Sequence, residues 1–411
     1  MNYVVAHLGA RMHYAVPRML HDAGMLSRFY TDICGNKGWP RVLRLIPPSL
    51  RPTALKRLLG RLPQGLPLAK IRTFNVFGFR SAWQRARARD PRAILAAGLW
   101  AGKEFGRRIV EDGLHDADAV YTYNSEALEI LTYARQHGIR AVLEQTIAPP
   151  EVVDELLSTE HERFPGWEEA RSKNDLLPEN CERHRAEREL AELIVCGSEF
   201  VRESVAACGG PRDRCVVVPY GLNWPEAPQI RRQPHTGPLR VLTAGAVGLR
   251  KGSPYVLEAA KLLKGRAHFR LAGPLGISAT AQQQLREHLE LLGPVPRSEM
   301  REQFAWADVF LLPSICEGSA TATYEALACG LPVICTPNTG SIVRSGEDGF
   351  IVPMRDVQAI VTSLECLLED RDRLNAMSAR AQQRWSEISL EAYQSRLLRA
   401  LADNTQVPSR A

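Results

Sequence analysis

Short apolar runs that end in glycine or small polar residues, each followed by a stretch of helical spacing, recur along this chain. Tyr3-Val4-Val5-Ala6 is the first, and Ala119-Val120-Tyr121-Thr122-Tyr123 and Arg140-Ala141-Val142-Leu143 follow. Runs this short and this apolar suit strands covered on both faces, the condition of a parallel sheet with helices on either side. Their alternation with helices predicts a doubly wound α/β fold. The pattern occurs twice. Residues 223–238 hold four prolines and few apolar groups, and a second series begins at Leu239-Arg240-Val241-Leu242-Thr243-Ala244-Gly245. It continues through His268-Phe269-Arg270-Leu271-Ala272-Gly273 and Val309-Phe310-Leu311-Leu312. A chain of 411 residues also exceeds one ordinary core. Two α/β domains joined at 223–238 are expected.

The connection after Leu312 carries the most chemistry. It sets Glu317 and Glu325 eight residues apart around the small-residue turn Gly318-Ser319-Ala320-Thr321. Residues 320–329 read as a short helix, with Ser319 or Thr321 as N-cap and Gly330 as its stop. A strand, a small turn and a helix N-terminus form an anion site, because unpaired N–H groups and the positive dipole end face one spot. Another Gly-bearing turn, Gly245 to Gly252, carries Arg250 and Lys251. A planar guanidinium fork and a compact ammonium suit a diphosphate. At the end of the first strand, His7-Leu8-Gly9-Ala10-Arg11 lies where open α/β sheets place ligands. Gly9 would let a backbone approach a phosphate or sugar, and a plain structural turn is the equal alternative. Asp116-Ala117-Asp118 has a metal-like spacing but directly precedes a strand, and no other cluster has metal-ligand spacing. No metal site is assigned.

The Glu317/Glu325 pair and its Gly330-Leu331-Pro332 stop resemble the E-x7-E signature of retaining family 4 (group 1) glycosyltransferases. Glu192 to Val201, followed by Val216-Val217-Val218-Pro219-Tyr220-Gly221, is similar to the end of that family's N-terminal domain. The resemblance implies the GT-B architecture: two Rossmann-like, doubly wound parallel-sheet domains facing a central cleft. Residues 1–222 would be the acceptor domain with a basic insertion near 37–89, and 223–238 the linker. Residues 239–389 would bind the nucleotide-sugar, and a helix within 390–411 would cross back onto the N-terminal domain.

By the same resemblance a UDP-, GDP- or ADP-linked sugar is the co-substrate, with no other cofactor and no essential metal. Its sugar would pass to a glycan or lipid-linked acceptor in cell-surface polysaccharide or glycoconjugate biosynthesis. Glu317 would contact the donor sugar, and Lys251 and Arg250 would neutralise the leaving diphosphate. Glu325 would bind the ribose, and the amides of Gly318, Ser319, Ala320 and Thr321 would hold the pyrophosphate. Val295, in Gly293-Pro294-Val295-Pro296, would lie against the base, and Gly9 against the donor. The chain departs from the family at three places. Ala246 stands where an Arg is usual, and Ser319-Ala320 stand where Phe-Gly is common. No His occurs at Glu144-Gln145-Thr146, which leaves Glu144 and Gln145, with Arg11 and His13, as candidate sugar or acceptor contacts.

Charge is unevenly spread. The net is +6, yet residues 37–89 hold 13 Lys/Arg and no Asp or Glu, leaving 39 basic against 46 acidic residues elsewhere. Apolar residues interleave with these cations, as in Trp39-Pro40-Arg41-Val42-Leu43-Arg44-Leu45. Such a stretch suits an anionic membrane surface as well as it suits a solvated helical face beside the acceptor cleft. Both readings stay open, and nucleic acid is not favoured. Nine cysteines, an odd number without C-x-x-C, fit reduced core thiols. The first strand begins at once without a basic leader, and no run reaches a membrane span. A cytoplasmic protein, peripheral on the inner membrane face if the basic stretch binds lipid, is expected. An epimerase or phosphorylase on the same fold, or a non-catalytic membrane-surface scaffold, are the alternatives. A nicotinamide oxidoreductase is disfavoured because no G-x-G-x-x-G follows either opening strand.

Overall fold

The computed structural model describes residues 1–171, 174–230 and 235–403. Seven strands form the first sheet: β1 (Tyr3–His7), β2 (Leu26–Thr31), β3 (Ile71–Thr73), β4 (Ala119–Tyr123), β5 (Arg140–Gln145), β6 (Leu193–Cys196) and β7 (Cys215–Val217). Six form the second: β8 (Leu239–Ala244), β9 (Ala267–Ala272), β10 (Glu290–Gly293), β11 (Val309–Leu312), β12 (Val333–Cys335) and β13 (Gly349–Ile351). The orders are β3-β2-β1-β4-β5-β6-β7 and β10-β9-β8-β11-β12-β13, so the two sheets repeat one winding. All pairs are parallel. Val5 lies opposite Phe29 of β2 and Tyr121 of β4, and Val241 opposite Phe269 of β9 and Val309 of β11. Chain order therefore reverses beside β1 and beside β8, and the carboxyl ends of those strands are where ligands bind in such sheets.

Successive side chains of a strand point to opposite faces, and here both faces are covered. Tyr3 and Val5 enter one core layer of the first domain, Val4 and Ala6 the other. Leu239 and Val241 enter one layer of the second, Leu242 and Ala244 the other. The stretch expected to be helical around 36–92 contains a 3-10 helix (Trp39–Leu45), helices Thr53–Leu59 and Asn75–Arg87, and the edge strand β3. In β3 only Ile71 is buried, too short an apolar signal to show in sequence.

Two segments cross between the domains. Helix Leu390–Asp403 buries Tyr393, Leu397 and Leu401 against Tyr3 and Tyr14 of the first domain. Residues 165–167 form the second crossing, and Trp167 enters the second domain's core. Ser278 Oγ donates to Gly166 O at 2.6 Å, and Tyr255 OH donates to Glu160 at 2.7 Å. Within the expected linker 223–238, residues 231–234 lie outside the described residues, as do 404–411 of the expected terminal segment. Among the described residues no helix is long and apolar enough to cross a membrane.

Candidate functional site

Helix Thr321–Ala328 follows β11 through the turn that holds Glu317. Its end is a Schellman motif: Gly330 has φ 69°, its N–H donates to Leu327 O, and the Leu331 N–H donates to Ala326 O. Its beginning differs from the sequence reading. Ala320 is the N-cap, and neither Ser319 nor Thr321 caps with its side chain. Ser319 Oγ is drawn inward, 2.7 Å from Tyr324 OH and donating to Gly340 O at 3.2 Å. The Ala320 N–H donates to Thr339 O at 3.1 Å, so this amide, one of the four expected to hold pyrophosphate, is turned into the fold.

A cavity of about 470 Å³ opens at the carboxyl ends of β8, β9, β10 and β11. Gly245, Lys251, Gly273, Val295, Glu317 and Glu325 line it. Ser319, Ala320 and Thr321 also face it, Gly318 and Arg250 are not among its lining residues, and Arg250 adjoins it through Glu317. Lys251 Nζ is 2.8 Å from Glu317 Oε1, and Arg250 Nη1 is 3.2 Å from the same oxygen. Burial pulls the Lys251 ammonium down from its ordinary pKa, with Glu317 opposing the shift. Burial pushes the Glu325 carboxyl up, against the pull of Arg297.

Arg297 had no motif to announce it. Its Nη2 is 3.6 Å from Glu325 Oε1, and its Nη1 donates to His13 Nε2 at 2.8 Å across the domain boundary. Three successive non-glycine residues, Met12, His13 and Tyr14, have positive φ (46°, 52° and 64°), a costly conformation that presents His13 to this arginine. Gly9 has φ 87°, and a Cβ there would meet nothing within 4 Å. Its positive φ, rather than any close backbone, requires glycine.

The structure places Glu144 and Gln145, the candidate sugar or acceptor contacts, inside the first domain. They are 1% and 0% exposed, because β5 is covered on both faces to its end. Tyr121 OH and Tyr220 OH donate to Glu144 at 2.7 and 2.8 Å. Burial raises the Glu144 carboxyl pKa, while Arg11 and the tyrosine hydroxyls oppose. Gln145 Nε2 donates to Ile147 O at 2.8 Å. Arg11 stays at this rim, its guanidinium carbon 5.9 Å from the centre of the Tyr123 ring.

The turn that holds Glu317 is pressed against the first domain. Ser198 Oγ donates to Gly318 O at 2.6 Å. A Cβ at Gly318 would lie 1.8 Å from Thr146 O, so only glycine fits this contact.

Two doubly wound domains in contact, with a cavity of paired cations and carboxylates at the second domain's switch point, define the GT-B architecture. Residues 238–370 match the family Glycosyl transferases group 1. The chain is 31% identical over 210 residues to the putative colanic acid biosynthesis glycosyltransferase WcaL of Salmonella typhimurium, covering 47% of this chain and 52% of that protein. It is 28% identical over 190 residues to the amylovoran biosynthesis glycosyltransferase AmsK of Erwinia amylovora, covering 42% and 46%. The matches thus span about half the length of these curated relatives. Among solved structures, HepE of Anabaena in complex with UDP superposes with a TM-score of 0.63 at 14% identity, covering 98% of this chain and 100% of that one. Sucrose-phosphate synthase from Thermosynechococcus elongatus gives 0.67 at 14% identity, covering 98% and 99%. These two likenesses establish the fold.

Proposed function

We propose that this chain is a retaining family 4 glycosyltransferase. It moves a sugar from a nucleotide-sugar to a glycan or lipid-linked acceptor in cell-surface polysaccharide or glycoconjugate biosynthesis. One observation carries the reading: Lys251, Glu317 and Glu325 line a single cavity at the switch point of the second sheet. The polysaccharide assignments of WcaL and AmsK support the acceptor class.

Glu317 holds both cations. A diphosphate, with more charge and more acceptor oxygens than one carboxylate, takes Lys251 and Arg250 from it and leaves Glu317 to the donor sugar. Glu325 binds the ribose hydroxyls, exchanging its contact with Arg297. The bond from the anomeric carbon to the phosphate oxygen then breaks, and its electron pair passes to the diphosphate. The acceptor hydroxyl oxygen bonds to the same face of that carbon, and its proton passes to the departing phosphate oxygen. Lys251 and Arg250 stabilise the charge that develops there, so chemistry proceeds without a divalent ion.

A thermal-shift screen against UDP, GDP, ADP and their sugars tests the reading. A ligand of the folded state at 100 times its dissociation constant adds about 2.7 kcal/mol, and one nucleotide series should produce that shift. No shift with any nucleotide would sink the proposal. A free epimerised sugar formed from donor alone would replace transfer by epimerisation.

A further inference from the structure

Exposed large apolar side chains are concentrated in one part of the surface. Eight of the twelve lie between residues 39 and 83, within the stretch that holds 13 Lys/Arg and no acid. Their geometry is ordered. On the 3-10 helix Trp39–Leu45 residues three apart eclipse one another, so Trp39, Val42 and Leu45 form one stripe, 42%, 63% and 83% exposed. On helix Asn75–Arg87, Val76, Phe79 and Trp83 share a face, while Phe77 and Ser81 face the core. The stripes meet where the Trp39 and Phe79 rings approach edge to face, 6.4 Å between centroids. Cations border this face: Arg41, Arg44 and Arg80 are exposed, and the Arg87 guanidinium carbon is 3.8 Å from the centre of the Trp83 ring. Among the described residues none of these four arginines has a carboxylate partner, whereas Arg61 and Arg72 pair with Asp32 and Asp112.

We propose that this face docks the chain onto an anionic bilayer, with Trp39, Phe79 and Trp83 in the headgroup layer and the unpaired arginines on lipid phosphates. Aromatic rings with unpaired cations at their border match that layer, apolar inward and negatively charged outward. A solvated face would have no use for six exposed apolar groups in register. The segment leaves the first sheet at the carboxyl end of β2, the edge that also carries the Gly9 turn. Docking therefore brings the cleft-side edge of the first domain to the membrane, where a lipid-linked acceptor resides. That last step rests on the transferase reading; the docking itself does not.

Co-sedimentation of the full chain with vesicles tests docking without any measure of activity. Phosphatidylcholine vesicles containing phosphatidylglycerol should bind it, and phosphatidylcholine alone should not. High salt should weaken binding. Phe79→Ala with Trp83→Ala should abolish it, with thermal melts to confirm folding. Arg41→Glu and Arg44→Glu, at exposed positions where folding is not at stake, should each lower partitioning at least about fivefold, the equivalent of the ~1 kcal/mol of a surface-proximal cation. Leu262→Ala, an exposed leucine on the other domain, should have no effect. Equal binding to neutral vesicles, or full binding by the folded double variant, overturns the proposal. So does a dimer that dissociates in the double variant without binding vesicles, because a second copy then covers the face.

Discussion

The two sheets share one winding and differ at their carboxyl edges. The second sheet leaves a cavity there, with Lys251, Glu317 and Glu325 facing it. The first fills the corresponding edge with its own side chains. The His7 ring lies tilted against Tyr123, 4.5 Å between centroids, and Glu144 is held by Tyr121 and Tyr220. Topology thus offers a site twice, and side-chain volume decides which offer stands. Glycines at Gly245 and Gly273 keep one edge open, and tyrosines close the other. A Cβ at Gly273 would lie 1.8 Å from Gly245 O, so these two strand exits meet without side chains between them. The carboxylates follow the same division. Glu317 is paired with the cations Lys251 and Arg250, and Glu144 with neutral hydroxyls.

The largest effect should come from the open edge. Lys251→Ala removes a preorganised charge from the leaving diphosphate, and kcat should fall about 10²- to 10³-fold. Steady-state kinetics with the donor identified by the thermal-shift screen measures it. A rise in KM with kcat intact would mean that Lys251 only holds the ground state, and the contrast between reactive and structural edges would fail.

At the closed edge the cost should fall on stability. Glu144→Leu leaves the Tyr121 and Tyr220 hydroxyls buried without their acceptor, a loss of about 2 kcal/mol in urea denaturation. Turnover per folded molecule should stay unchanged. Loss of turnover at unchanged stability would place Glu144 in the chemistry and erase the distinction drawn between the two edges.

Sequence made the frame legible because parallel strands buried on both faces are written as continuous apolar runs, as in β1 and β11. Strands that break this rule were not seen. β2 carries Ser27 and Arg28, β3 has three residues, and β10 begins with the exposed Glu290. The cavity was legible where its parts lie on one strand–turn–helix connection, as Glu317 and Glu325 do. It was not legible where partners come from distant segments. Arg297 reaches His13, 284 positions away, and Ser198 reaches Gly318, 120 positions away. The enclosure of Glu144 was hidden for the same reason. Its place after an apolar strand suggested a cleft residue, but Tyr121 and Tyr220, which enclose it, come from other strands and loops.

Ser198 joins the two edges, and each of its two bonds taken singly should give the smallest effect. Its hydroxyl accepts from the Val201 N–H, capping helix Glu199–Ala207, and donates to Gly318 O. Ser198→Ala removes both bonds, at about 1 kcal/mol for the cap and about as much for the bond to Gly318. Ser198→Asp keeps a cap acceptor but has no proton for Gly318 O once ionised. The pair separates the two roles. If the cap alone matters, the aspartate variant restores stability and leaves the donor KM as it was. If the bond to Gly318 helps hold the Glu317 turn against the first domain, both variants raise the donor KM, and only the alanine variant also loses the cap. A donor KM unmoved in both would mean that the second edge keeps its geometry without help from the first.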